Sequence, residues 1–187
     1  LDEVVKYSRQ LGLNPEQFVE TIKKRQIEGG EFTPEEKEAL ISFNSLLNIR
    51  HEENIGLDLI FDGEARRFEM YAHVRPHIKG FIRSKEMIRS RNEQGYYAGI
   101  CVAPPTLDDL LVPMTVSEFE FIRDNTTKDV KDIKIPINGP YMMAIMTIDR
   151  YFTDTLRARY KDDPAGLRYE VKRKLTHSLA ERIVRPQ

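Results

Sequence analysis

Residues 56–70 read GLDLIFDGEARRFEM, and within them Asp62, Glu64, Arg66 and Arg67 are the side chains that could do chemistry. A carboxylate at the end of a strand can receive the ammonium group of a ligand. Gly63, set between the two acids, lets the backbone turn and a ligand come close. The same three residues also read as a strand-end turn with solvated acids, and spacing alone favours that plainer reading. Arginine presents a planar fork that suits a carboxylate or a phosphate, so Arg66 and Arg67 could hold an anion. An ion-pair network at the surface is the favoured reading for at least one of them. Asn138-Gly139-Pro140-Tyr141 follows a second apolar run. That turn could set backbone groups or Tyr141 against a ligand, or simply join a strand to a helix.

Other chemistry-bearing residues carry less. Glu69, His73 and His77 are spaced i, i+4, i+8, which on one helix face could resemble a metal set. Pro76 would break that helix before His77, and the spacing is not that of HExxH. His51 and His177 read as helix-surface residues. Cys101 stands alone, so it has no partner for an internal disulfide and reads as packing. Met142, Met143 and Met146 read as core or pocket wall rather than as a methionine metal site. No P-loop, GxGxxG, GxSxG or CxxC pair occurs, so phosphate cradling, serine hydrolysis and a self-contained zinc knuckle have no support.

The elements that must position these residues follow from pattern. Helices are expected over 2–11 and 15–28, split by Gly12 and Asn14-Pro15. Gly29-Gly30 is a break. Thr33-Pro34-Glu35-Glu36 is a strong helix start, with Thr33 as cap and Glu36 closing the box. Leu40, Phe43 and Leu47 share a face of that helix, which should run to about Asn54 with Gly56 just past it. The near-continuous apolar run Leu57–Phe61 predicts a strand covered on both faces. A helix over 66–77, a short strand over 78–82 and a strand over 96–102 ended by Ala103-Pro104-Pro105 follow. Thr115 and Glu118 predict a capping box and a helix to about Asp124, then a strand over 133–137. Tyr141–Arg150 reads as a loop entering a helix. A last helix starts at Asp163-Pro164, with Leu167, Val171, Leu175 and Leu179 spaced by four. Helices alternating with strands that end in glycine-bearing turns make an α/β pattern. In a (β/α) barrel, functional residues gather in the loops after the strands, where DGE and NGP both fall.

Composition excludes several classes. The chain has 187 residues, 40% apolar and 32% charged, as a globular domain with a real core requires. Its net charge of −1 gives no footprint for nucleic acid or an anionic membrane. No apolar run reaches the roughly 18 residues of a membrane span, and the first residues lack a signal peptide's apolar core. The expectation is a cytoplasmic protein.

Taken in order, these segments resemble the cobalamin-independent methionine synthase family. GLDLIFDGEARRFEM with HIKGF at 77–81 is similar to the family's GLD…GE…R…M segment and GF pair. Cys101-Val102 with Pro104-Pro105 resembles its CV-x-PP stretch, PMTVSEFEF its helix start, and IPINGPYMM its GP loop. The resemblance covers the chain from about Glu35 onward. It implies part of a (β/α)8 TIM barrel, roughly the N-terminal half. Residues 1–187 would form one partial barrel domain, with 1–30 a helical N-terminal extension.

The resemblance further implies a zinc-dependent transfer of a methyl group from a folate or corrinoid-type donor to a thiol, most simply homocysteine, giving methionine. Glu64 matches the family's glutamate that receives the substrate amino group. Asp62, Gly139 and Tyr141 would shape that substrate pocket. Ile100, Cys101 and Met146 would line the donor side, with Ile100 and Met146 standing where the family has arginine and tryptophan. The family's zinc ligands are expected in sequence absent from this chain. The implied partners are a small-molecule thiol and a methyl donor, with a corrinoid protein as one possible donor, and neither nucleic acid nor membrane. An epoxide–thiol transferase of the coenzyme M type and a non-catalytic partial-barrel module are the alternatives.

Overall fold

In the computed structural model, residues 2–67, 78–89, 95–107 and 115–183 are described. They fall into two compact units. The first comprises Leu1–Arg66 with Ser117–Ile135, and the second Arg67–Val116 with Pro136–Gln187.

The first unit is built on three helices, α1 (Asp2–Gln10), α2 (Pro15–Glu28) and α3 (Pro34–Asn54), at nearly the bounds expected. Asn14 caps α2 through the amide of Gln17, and Pro15 takes the first turn, where its missing N–H costs nothing. The expected capping box of α3 is complete. The Thr33 hydroxyl accepts from the Glu36 amide, and the Glu36 carboxylate accepts from the Thr33 amide. The same carboxylate takes the Arg25 guanidinium of α2 at 3.1 Å and so ties the two helices. Phe18 and Phe43 pack with ring centroids 5.2 Å apart.

The buried face of α3 is not the one expected. Leu40, Phe43 and Leu47 are half-buried, whereas Ser45, Leu46 and Ile49 are fully enclosed. Ile49 joins Ile60 and Ile122 in a core fringed by Phe61, Phe121, Ile133 and Ile135. The helix is apolar on more than one side, so the periodicity of one triplet could not select the face turned to that core. Ile122 lies on α4 (Val116–Asn125), and a 3-10 turn at Val130–Asp132 follows it.

The apolar run 57–61 does not form the doubly covered strand expected. Only Ile60 is fully buried, while Leu59 is 51% exposed. The reason lies in the donors. The Leu57 amide bonds the Glu52 carbonyl at the end of α3, and the Phe61 amide bonds the Glu52 carboxylate. Ile60 alone makes a ladder contact, a parallel bridge with Ile133 in the other predicted strand. Its N–H donates to Asp132 and its carbonyl accepts from Lys134. The two runs therefore meet side by side, at one residue each.

The second unit carries a three-stranded mixed sheet in the order β1–β4–β5: β1 (Ile78–Arg83), β4 (Gly99–Leu107) and β5 (Thr147–Asp149). β1 pairs antiparallel with β4, and β4 parallel with β5. A separate antiparallel pair is formed by β2 (Ile88–Arg89) and β3 (Gly95–Tyr96). Contrary to the expected stop, β4 runs straight through Ala103-Pro104-Pro105. The register jumps between Lys79 and Phe81, so the prolines, which have no N–H to give, sit in the bulge. Gly80 allows this at φ 93°, because a Cβ there would lie 2.7 Å from the Ala103 carbonyl oxygen.

Behind the sheet lie α5 (Pro140–Ile145), α6 (Tyr151–Leu156) and α7 (Pro164–Ile183). Val171, Leu175 and Leu179 of α7 are buried as their spacing predicted, and Leu175 and Leu179 share a core with Ile78, Cys101, Met143 and Ala144. The α/β expectation thus holds in its coarse form; the described strands do not themselves trace a barrel wall. The helix expected over 66–77, with Glu69, His73 and His77, lies outside the described residues from 68 onward. No described helix is long and apolar enough to cross a membrane.

Candidate functional site

The Asp62–Glu64 corner is assembled against α3 within the first unit. Asp62 is 3% exposed. Burying a carboxylate is costly unless its oxygens are bonded, and here both are. Oδ2 accepts from the Ser45 hydroxyl at 3.1 Å, and Oδ1 accepts from the Glu64 amide at 3.0 Å. The second bond closes an Asx turn, in which an aspartate holds the backbone two residues on. The Asp62 carbonyl accepts from Asn48 Nδ2 at 2.9 Å. Ser45 and Asn48, one turn apart on α3, thus hold the side chain and the main chain of the same residue.

The chain then passes through two residues in the left-handed region, Gly63 at φ 70° and Glu64 at φ 59°. For a residue with a Cβ this conformation costs about 1–2 kcal/mol. Glu64 is the one non-glycine residue with positive φ among the described residues. Such an outlier persists where surrounding contacts over-determine it. Here the Asx turn and the Asn48 bond do so.

Two glutamates near the end of α3 differ in their electrostatics. Burial raises the Glu52 carboxyl above its ordinary range, and the neighbouring Asp62 charge adds to this against the Phe61 amide bond. For Glu53, burial also pushes upward. It is outweighed by bonds from the Thr127 amide, the Thr126 and Thr127 hydroxyls and Arg50, so its carboxyl is held low.

Neither arginine of the corner stands open to a ligand anion. Arg66 bonds Glu38 at 2.9 Å and the Ser42 hydroxyl at 2.8 Å, and it lies over the Phe121 ring at 4.1 Å. Arg67, in the second unit, donates to the Pro136 carbonyl at 2.7 Å. The structural reading of this pair is the one the contacts favour.

The remaining predicted site residues lie in the second unit. Gly139 caps α5 at φ −64°, an ordinary conformation in which a Cβ would meet nothing. Tyr141, 64% exposed, edges a groove of about 650 Å³ along α7 with Ile145, Tyr169, Lys172 and Thr176. Ile100 is buried between Ile82 and Ile148 across the sheet. Met146, half-buried, ends α5 with its amide on the Met142 carbonyl. Cys101 is wholly buried and gives its S–H to the Ala103 carbonyl. Burial and the nearby Asp149 carboxylate push its thiol up to about 12, so it stays neutral and is no nucleophile at physiological pH.

Sequence reasoning missed Ser45, Asn48 and Lys172. Ser45, Asn48 and Glu52 recur at i, i+3, i+7 on one face of α3, a polar stripe that could have pointed to the corner. Lys172 gives its ammonium to the Ala144 and Thr147 carbonyls at 2.6 and 2.9 Å, and burial lowers its pKa. It ties α7 to the end of α5. Among the described residues no three His, Cys, Asp or Glu side chains lie close enough to share a metal ion.

Fold and corner together define a mixed α/β protein that presents an acidic turn from a helix-backed parallel bridge. The family model for the catalytic domain of cobalamin-independent synthase matches residues 11–180, and the chain belongs to that family. It is 29% identical over 140 residues to a methionine synthase of Pyrococcus abyssi, covering 75% of this chain and 39% of that protein. A methionine synthase of Thermoplasma acidophilum is 37% identical over 101 residues, 54% of this chain and 27% of the relative. A 5-methyltetrahydropteroyltriglutamate–homocysteine methyltransferase of a Synechococcus strain is 33% identical over 127 residues, 65% of this chain and 15% of the relative. Among solved structures, a B12-independent methionine synthase from Shewanella superposes with a TM-score of 0.49 at 20% identity, over 79% of this chain and 41% of that one. The chain spans well under half the length of the relatives it matches. The allowance for a corrinoid protein as methyl donor finds no support in a family described as cobalamin-independent.

Proposed function

We propose that this chain contributes the amino-group site of a methyltransferase that methylates the thiol of homocysteine to give methionine. Family membership supports the reaction class. The observation that carries the site is Glu64, fixed in a left-handed conformation by a buried aspartate. A backbone already set in place need not be ordered when its carboxylate takes up an ammonium group, and a charge-assisted bond is among the stronger polar contacts. Asp62 serves as its anchor; in the second unit, Gly139 and Tyr141 are the residues that the family resemblance assigns to substrate. Ile100, Cys101 and Met146 are the donor-side residues of the family resemblance; of these Met146 is half-buried, and Ile100 and Cys101 act from the core behind it. A methyl folate is the donor class carried by the Synechococcus relative's name, and it is the donor we favour.

Zinc is the metal that the family resemblance implies for activating the thiol. The described residues offer it no ligand set, so no step is assigned to it here. The same reading makes residues 1–187 one partial (β/α)8 domain with a helical extension over 1–30. The parallel Ile60–Ile133 bridge and the parallel β4–β5 pair support it.

The test is homocysteine binding by calorimetry in the full-length protein with Glu64→Gln. Loss of a charge-assisted bond should weaken affinity about ten- to a hundredfold. Unchanged affinity would remove Glu64 from the site and favour a thiol without an ammonium group, as in the epoxide–thiol alternative.

A further inference from the structure

We infer that Asn48 and Ser45 of α3 are positioning residues for amino-thiol recognition, acting on Glu64 through Asp62. The inference rests on the reading of Glu64 given above.

Three observations point the same way. Asn48 and Ser45 converge on one residue, Asp62, from successive turns of one helix: the amide holds its carbonyl and the hydroxyl its carboxylate. Ser45 takes one carboxylate oxygen of Asp62, and the other accepts the Glu64 amide. And Asn48 occupies the space beside Gly63 so closely that a Cβ there would fall 2.4 Å from its Nδ2. Asn48 thus packs over the first left-handed residue while bonding the residue before it. Helix α3, itself locked by its capping box and the Arg25 ion pair, thereby dictates two consecutive positive φ values. A turn that served only to redirect the chain would most easily carry glycine at both left-handed positions, as Gly63 does at the first. Extending the conformation to a glutamate, and backing it with a buried polar pair, fixes the direction in which that side chain leaves the backbone.

A positioning role and a merely structural one make different demands on the ligand. If Asn48 acts through Glu64, its loss matters only for a ligand whose ammonium group Glu64 receives. The probes are homocysteine and its desamino counterpart, 4-mercaptobutanoate, titrated into the full-length protein. Asn48→Ala should weaken homocysteine about tenfold and leave 4-mercaptobutanoate unchanged. In a Glu64→Gln background the same substitution should cost nothing further, because coupled residues do not add. Ser45→Ala should act in the same direction, and Ser45→Thr, which keeps the hydroxyl, should restore wild-type affinity. The Ser45 pair keeps the question answerable if Asn48→Ala does not fold.

Equal weakening of both thiols, or an additive loss in the double variant, would show Asn48 to be structural and overturn the inference while leaving Glu64 in the site. If Glu64→Gln itself leaves homocysteine binding intact, the underlying reading fails and this one falls with it. The two failures are told apart by the Glu64 variant alone.

Discussion

At Gly63 the backbone lies at φ 70°, and the room a side chain would need is taken by Asn48. Gly63→Ala therefore meets two costs, the left-handed strain of about 1–2 kcal/mol and a collision that Asn48 can relieve only by leaving the Asp62 carbonyl. We expect a loss of about 1–3 kcal/mol in urea unfolding; a midpoint equal to wild type would mean that the corner relaxes freely. Cys101 makes a different prediction. Its thiol is held up to about 12 against an ordinary 9.0 by burial and by Asp149. The native protein should resist iodoacetamide at pH 8 and react only when unfolded. The sign for stability follows: the unfolded thiol ionises first as pH rises past 9.0, so this residue's contribution to folding declines from there upward. Rapid native-state alkylation at pH 8 would contradict the burial described.

Helix α3 is the element on which most of the first unit depends, and its C-terminal end titrates in two directions. Glu53 is held low by Thr126, Thr127 and Arg50, so it supplies stability that is present above the ordinary 4.5 and lost as pH falls through its folded value. Glu52 is raised by burial, so its charged form is penalised at neutral pH and the penalty lifts on acidification. Glu53→Gln should cost about 1–3 kcal/mol at pH 7, with the gap to wild type narrowing as pH falls below the ordinary 4.5. Glu52→Gln keeps an acceptor for the Phe61 amide and removes a charge beside Asp62, so its melting temperature at pH 7 should equal or exceed wild type. A Glu53→Gln deficit that persisted undiminished at pH 3 would rule out this assignment. The start of α3 was legible because Thr33, Pro34 and Glu36 are neighbours and their bonds are local. Its buried face was not, because that choice is made by Ile60 and Ile122, which sequence spacing cannot see. The run 57–61 failed for a related reason: Glu52 takes the donors that a ladder would have used.

Across the whole molecule the same division recurs. Helix ends, the α7 stripe and the acidic turn could be read from adjacent residues, whereas the passage of β4 through Pro104-Pro105 required the bulge opposite, at Gly80. Asp62 and Glu64 were visible as a candidate, but Ser45 and Asn48 were not, since their spacing marks a polar helix face without saying what that face meets. The first unit is also assembled from two stretches of chain separated by much of the second. Ile60 finds its ladder partners only at Asp132 and Lys134, and Arg66 its ring only at Phe121. Contacts so far apart in sequence are slow to form, because the loop between them must close before they repay its entropy. During synthesis, then, the segment carrying Glu64 leaves the ribosome well before Asp132, Ile133 and Lys134, which pair with Ile60. α3 and its contacts to Asp62 emerge first, so the acidic turn can form before the bridge that anchors the run leading into it.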